Sequence, residues 1–196
     1  MKTRSGDNVG LTDVLEESVE RAAAAIAEKN PDLKGEEAKE IAEIVGIGAV
    51  KFAELSQNRL TDYVFSWDRM LALQGDTAPY LQYSNVRIRS IFRKLDAKFD
   101  AECANIILEK SEEIHLARLL ARFGEILPLV IDDHRPNILA TYLLELARAF
   151  HSFFEACPVL KSEEPYRSSR LALCQLSSRI LETGLGLLGI KCPDKM

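Results

Sequence analysis

The sequence predicts an all-α protein, a helical bundle preceded by a shorter helical tail. Apolar residues recur at spacings of three and four in four segments between residues 76 and 189, and such stripes bury one another in a bundle. Only Tyr63-Val64-Phe65-Ser66-Trp67 favours β-structure, and one isolated strand makes no sheet. Hydrophobic residues make up 47% of the 196, ample for a core, yet no parallel sheet is available to build a nucleotide fold.

Residues 1–7 are polar and contain a glycine, and a helix follows them. Its stripe is Leu15, Val19, Ala22 and Ile26, with Thr12 the expected cap and Asn30-Pro31 the stop. Residues 34–57 read as two short helical segments. Glu36, Glu37, Glu40 and Glu43 with Lys39 make an acidic outer face, and Ile41, Ile44 and Val45 an inner one. Gly46-Ile47-Gly48 is expected to bend or thin the chain for helix packing. No strand precedes it and no third glycine follows, so it is a poor phosphate loop. Residues 59–75 form a joint in which Trp67 serves as a core or inter-domain anchor, with base stacking the alternative.

The densest signal runs from Gly75 to Leu95. Gly75-Asp76 supplies a turn, Asp76 or Thr77 a cap, and Pro79 sits in the first turn, where its missing N–H costs nothing. Leu81, Ser84, Ile88, Ile91 and Leu95 make a core-facing stripe. Tyr80, Tyr83, Arg87, Ser90 and Lys94 make a second, rotated by about 100°. Two phenols and two cations on such a face can stack on splayed bases and meet phosphates. The same pattern fits two boundary tyrosines beside a solvated basic face.

Farther on, Ser111 is expected to cap a helix carrying Leu116, Leu120, Phe123, Leu127 and Val130, kinked at Gly124 and Pro128. Arg135-Pro136 opens another with Leu139, Leu143, Leu146, Phe150 and Phe153 in the same rhythm. Residues 161–165 are a loop, and the last helix carries Leu173, Leu176 and Ile180 before ending near Gly184 to Gly189.

The net charge of −5 argues against indiscriminate nucleic-acid binding through the whole surface. Locally, Arg87, Arg89, Arg93 and Lys94 against Asp76 give residues 76–95 a charge of +3. Cys103, Cys157, Cys174 and Cys192 are scattered, as are His115, His134 and His151, so neither a zinc site nor a disulfide framework is indicated. Thiols of this kind fit a reducing cytosol. No apolar run reaches membrane-spanning length, and no secretory signal pattern opens the chain. Asp132-Asp133-His134 reads as a solvated turn, and His151 and Cys157 fall on different faces of a helix, with no orienting third group.

Gly75-Asp76-Thr77-Ala78-Pro79-Tyr80-Leu81-Gln82-Tyr83, followed by Arg87-Ile88, strongly resembles the start of the anticodon-binding domain of the class I arginyl-tRNA synthetases, usually worded GNTAPYLQYAHARI. Other stretches share the resemblance. Met1 to Asp7 resembles that family's KMSKS-equivalent loop, though Lys2 stands where the motif's central Ser would be and Thr3-Arg4 replace its final Lys-Ser. Gly48-Ala49-Val50-Lys51-Phe52 resembles the segment closing the catalytic half, and Asp62 to Asp68 the segment between the halves. Leu187 to Met196 parallels the usual ending, LLGI-x-x-P-(Glu/Asp)-(Arg/Lys)-Met, which implies a natural C-terminus.

The resemblance implies a C-terminal fragment in three parts. Residues 1–58 are the tail of the catalytic half, 59–75 a connecting segment, and 76–196 a DALR-type anticodon-binding helical domain. It implies that Lys2, Thr3, Arg4, Ser5 and Gly6 belong to the ATP-closing loop, and that Tyr80, Tyr83, Arg87, Lys94, Phe154 and Met196 bind tRNA. Phe150 also fits the core stripe and ranks as buried. Met196 closes the site, or else is a frayed terminus. No HIGH-type motif, arginine pocket or Rossmann half is present, so no catalytic residue and no metal site is expected here, and the fragment alone is expected to be inactive. ATP and magnesium serve the parent reaction, the attachment of arginine to its tRNA. The expected partners are the anticodon arm of arginine tRNA and the absent catalytic half, in the cytoplasm, with no membrane and no DNA. The alternative is a freestanding helical protein–protein interaction domain related to a synthetase bundle.

Overall fold

The computed structural model describes residues 10–60, 66–95, 99, 101 and 104–196. Among them lie eight helices: α1 Leu11–Lys29, α2 Gly35–Leu55, α3 Trp67–Met70, α4 Ala78–Arg93, α5 Ser111–Ala121, α6 Phe123–Asp133, α7 Pro136–Ala156 and α8 Tyr166–Leu187. No strand occurs among the described residues. Tyr63 to Phe65 lie outside them. Ser66 is extended, and Trp67 opens the short α3.

α1 and α2 form a pair, with Ala22 and Ile26 of one against Ile41, Ala42 and Val45 of the other. Thr12 is not the cap of α1. The helix starts two residues sooner, with Gly10 in the cap position, and Asp13 Oδ2 accepts the Gly10 N–H at 3.0 Å. The expected bend at Gly46-Ile47-Gly48 is also absent, because α2 runs unbroken through both glycines. Packing explains them. A Cβ on Gly46 would stand 2.7 Å from the Ser18 carbonyl oxygen and 2.8 Å from Val19 Cα, so its absence lets the α1 backbone touch α2. The cost of glycine in a helix, about 1 kcal/mol, is offset by that close approach. Trp67 packs on the α1–α2–α3 contact as an anchor, with the Arg21 guanidinium carbon 5.2 Å from its ring centroid.

The bundle is built around α7, which packs against α2, α4, α5, α6 and α8. Its stripe of Leu139, Leu143, Leu146, Phe150 and Phe153 is buried throughout. Two expected features come out differently. The single kinked helix over Leu116 to Val130 is two helices that meet at Arg122, whose N–H is shared between the Arg118 and Leu119 carbonyls. On α8, Leu176 is exposed, and the buried face is instead Leu173, Cys174, Ser177, Ser178, Leu181 and Leu185. Two serines and a cysteine on that face look polar in a hydropathy pattern. Inside the helix the Ser177 hydroxyl donates to the Leu173 carbonyl at 2.8 Å, which makes it fit for burial.

Ser111 is the first residue of α5, and the work of a cap falls to Glu113. Its Oε2 accepts the N–H groups of Glu109 and Lys110, each at 2.9 Å, and its Oε1 accepts Arg170 Nε at 2.7 Å. Arg170 also donates to the Pro158 carbonyl and the Ser162 hydroxyl, so one buried ion pair ties α5, the α7–α8 loop and α8 together. Burial pushes the Glu113 carboxyl up. The Lys110 N–H, Arg170 and the Glu109 N–H outweigh it and hold the group below the usual carboxylate range.

Two outcomes follow from this packing. Gly46→Ala should destabilise the chain by about 2 kcal/mol, since the clash is with backbone, whereas Gly186→Ala, with open space around it, should be tolerated. Melting temperatures of the two variants check this. The Glu113 contribution is present above the unfolded carboxylate pKa and is lost as pH falls through the lower folded value. The melting temperature should therefore drop as pH is taken below about 4. In Glu113→Gln, which leaves Arg170 without its charge partner, that part of the acid dependence should vanish and the starting stability should be lower.

Candidate nucleic-acid interface

Thr77 starts α4: its Oγ1 accepts the Tyr80 N–H at 3.1 Å, and its hydroxyl donates to the Ala72 carbonyl at 2.6 Å. With Pro79 in the first turn, the helix begins at a defined angle against the 71–74 turn. Leu81, Gln82, Ser84, Asn85, Ile88 and Ile91 are buried, and α4 packs against α2, α7 and α8. Only a narrow ridge is left for solvent.

Tyr83 stands on that ridge, 42% exposed. It lines a cleft of about 630 Å³ together with Met196, Ala22, Ile26 and Lys29 of α1, and the 71–74 turn. Met196 packs on the apolar α1–α2 contact. A flat ring and a thioether facing a partly apolar cleft can take up a planar apolar-faced group, with Lys29 at its edge.

Tyr80 is half-buried against the main core. Burial pushes its phenol up, while the Arg148 guanidinium pulls it down and Asp76 pushes it up again. Arg148 of α7 is ion-paired with Asp76. Arg87 lies over Phe154, its guanidinium carbon 4.6 Å from the ring centroid, and Phe154 in turn packs 6.0 Å from the buried Phe150. Lys94 is exposed at the C-terminal end of α4, about 16 Å along the axis from Tyr83.

The expected set therefore falls into parts. Tyr83 and Met196 share one cleft, Arg87 and Phe154 touch, Tyr80 belongs mainly to the core, and Lys94 stands apart. Lys2, Thr3, Arg4, Ser5 and Gly6 lie outside the described residues. Two of the four cations counted in the basic segment are engaged elsewhere. Arg89 binds Glu182, with Nη2 at 2.7 Å, and also Asp194, while Arg93 Nη1 donates to the Asp194 carbonyl at 3.0 Å. Glu182 also accepts from Asn85 and Ser178. Burial raises its carboxyl pKa, but Asn85, Arg89 and Ser178 bring it below the usual range. Arg148 and Lys29 were missed from sequence. No local pattern ties Arg148 to an aspartate 72 positions earlier, or Lys29 to a tyrosine on a different helix.

Among the described residues, no group of three or more His, Cys, Asp or Glu could hold a metal ion. No helix of the described residues is long and apolar enough to cross a membrane.

Residues 81–196 match the DALR anticodon binding domain, and residues 1–67 match the catalytic domain of the class I (R) tRNA synthetases. The chain is 51% identical over 195 residues to the arginine–tRNA ligase of Laribacter hongkongensis and 50% identical to that of Chromobacterium violaceum. In each case all of this chain is covered and 34% of the relative. Arginyl-tRNA synthetase from Thermus thermophilus has a similar structure, with a TM-score of 0.85 at 36% identity over 98% of this chain and 33% of that one. The enzyme from Plasmodium falciparum gives 0.86 at 30% identity over 96% of this chain and 34% of that one. The chain spans about a third of the length of the relatives it matches.

Proposed function

We infer that this chain, which belongs to the DALR anticodon binding domain family, holds the anticodon arm of an arginine tRNA as part of an arginine–tRNA ligase. The observation that carries the reading is the half-exposed Tyr83 in a cleft with Met196, inside the segment matched to that family. A splayed base stacks on the Tyr83 face and is closed in by Met196. Arg87, steadied on the Phe154 ring, offers its outer N–H groups to a phosphate or base edge, and Lys94 meets the backbone farther along. Tyr80 supports this ridge from beneath more than it contacts RNA.

On this reading residues 1–58 are the tail of the catalytic half, 59–75 the connection and 76–196 the recognition domain. Lys2, Thr3, Arg4, Ser5 and Gly6 form the loop that closes over ATP in the whole ligase, whose catalytic half uses ATP and magnesium in the cytoplasm. This chain itself needs no cofactor. Gripping the anticodon arm fixes the distant acceptor end relative to that half, so the gain is one of orientation. No observation here favours a freestanding protein–protein adaptor.

Base–aromatic stacking is worth roughly 1–3 kcal/mol per base, so Tyr83→Ala should weaken binding of arginine tRNA by roughly ten- to a hundred-fold. Its melting temperature should change little, because the ring is half exposed. Arg87→Ala should weaken binding and also flatten the dependence on salt. Titrations at two salt concentrations decide: unchanged affinity in both folded variants would reduce the ridge to a solvated helix face. A second outcome concerns activity. The purified chain should catalyse no arginine-dependent ATP–pyrophosphate exchange, and exchange above a mock preparation would overturn the assignment of its parts.

A further inference from the structure

After α8 the chain turns back at Gly189, with φ +69°, and the Ile190 N–H donates to the Leu185 carbonyl at 2.9 Å. The segment from there to Met196 lies as a strap across α4 and α2. Ile190 and Pro193 are buried, the Lys191 carbonyl accepts Gln82 Nε2 at 2.8 Å, and Lys195 Nζ is 3.3 Å from Glu37. Arg89 stands at its middle. One side of its guanidinium is fixed on α8, where Glu182 Oε1 accepts Nε at 2.8 Å and Nη2 at 2.7 Å. The other side, Nη1, reaches Asp194 of the strap.

We propose that Arg89 is a positioning residue for the recognition cleft, holding Asp194 so that Met196 stands beside Tyr83. The proposal rests on the anticodon-arm reading above. A planar fork with separate donors on two edges bridges Glu182 and Asp194 in a fixed geometry, which the compact point charge of a lysine ammonium does not reproduce. Asp194 is 87% exposed in its side chain, so its pair with Arg89 adds little to the stability of the fold. What it restrains is local. Residues 194–196 have few other ties, and two of these, Lys195 to Glu37 and Met196 on the α1–α2 contact, depend on the strap arriving at the right angle. Arg93, donating to the Asp194 carbonyl, fixes the same residue by its backbone.

The test is a double-mutant cycle on the 196-residue chain, titrated with an in-vitro transcribed arginine tRNA. Asp194→Asn removes a negative charge near the proposed RNA site, so electrostatics alone predicts tighter binding. Positioning predicts the reverse, a loss of roughly five- to ten-fold with an unchanged melting temperature. Met196→Ala should lose a similar factor, and the double variant should be no weaker than the worse single one. Arg89→Lys should behave like Asp194→Asn. Lys94→Ala serves as the comparator, because its loss should multiply with that of Met196→Ala. Equal or tighter binding by Asp194→Asn, or losses that multiply with Met196→Ala, would overturn the positioning role. If the Tyr83→Ala effect persists in that case, the anticodon-arm reading stands without it. Absence of tRNA binding by the unmodified chain would overturn both.

Discussion

A single buried amide joins three distant parts of the molecule. Gln82 is fully buried on α4, and its Nε2 donates to the Ile44 carbonyl of α2 at 3.3 Å and to the Lys191 carbonyl of the strap at 2.8 Å. The contact exists because residue 48 has no side chain. A Cβ there would stand 2.9 Å from Gln82 Nε2 and 3.1 Å from Ile190 Cγ2. With Gln82 clamped in this way, α4 cannot roll about its axis. The next residue, Tyr83, is then forced outward by the helical rotation of about 100°, which is why one ring meets the cleft while its neighbours are buried. The geometry of the ridge is thus a consequence of a polar contact about 100° away around the same helix.

Much of the fold is legible in the sequence wherever one residue's role is set by its near neighbours. The cap and first turn of α4, the stripe of α7 and the Asn30 stop of α1 all depend on residues within a few positions. The errors share a different cause. Gly46 looks like a hinge until Ser18 is known to lie against it, and Ser111 looks like a cap until Glu113 is seen taking two backbone N–H groups and Arg170. Leu176 fits the apolar rhythm of α8, yet the surface α8 meets includes the buried Asn85, whose Oδ1 accepts the Ser178 hydroxyl, so the buried face carries serines. These are long-range choices, and a local pattern holds no record of them.

The ridge shows the same division. Tyr80, Tyr83 and Arg87 share a stripe by periodicity, but their surroundings differ, because the first packs against the main core, the cleft opens beside the second and Phe154 underlies the third. A stripe specifies direction from the helix axis. Exposure depends on what each neighbouring helix brings up against it, and α4 is met by three of them along its length.

The charge pattern has a consequence for how such a ridge can recognise RNA. The sequence counts +3 over residues 76–95, but Arg89 is spent on Glu182 and Asp194 and Arg93 on the Asp194 carbonyl. Arg93 and Lys94 are exposed and Arg87 and Arg89 half-buried, but only Arg87 and Lys94 are tied neither to Glu182 nor to Asp194. If each neutralises one phosphate, the salt slope from this face is only about −1.4 to −1.8, far below that of a protein that binds through a basic surface. A chain with a net charge of −5 adds no attraction to arbitrary RNA. On the proposed reading, affinity at this face would come chiefly from the ring, the thioether and the shape of the cleft, which act on bases already turned out of a stack. On the proposed anticodon-arm reading, such a surface would discriminate against duplex RNA because it offers little to a phosphate backbone, and would favour a loop because a loop can present an unstacked base.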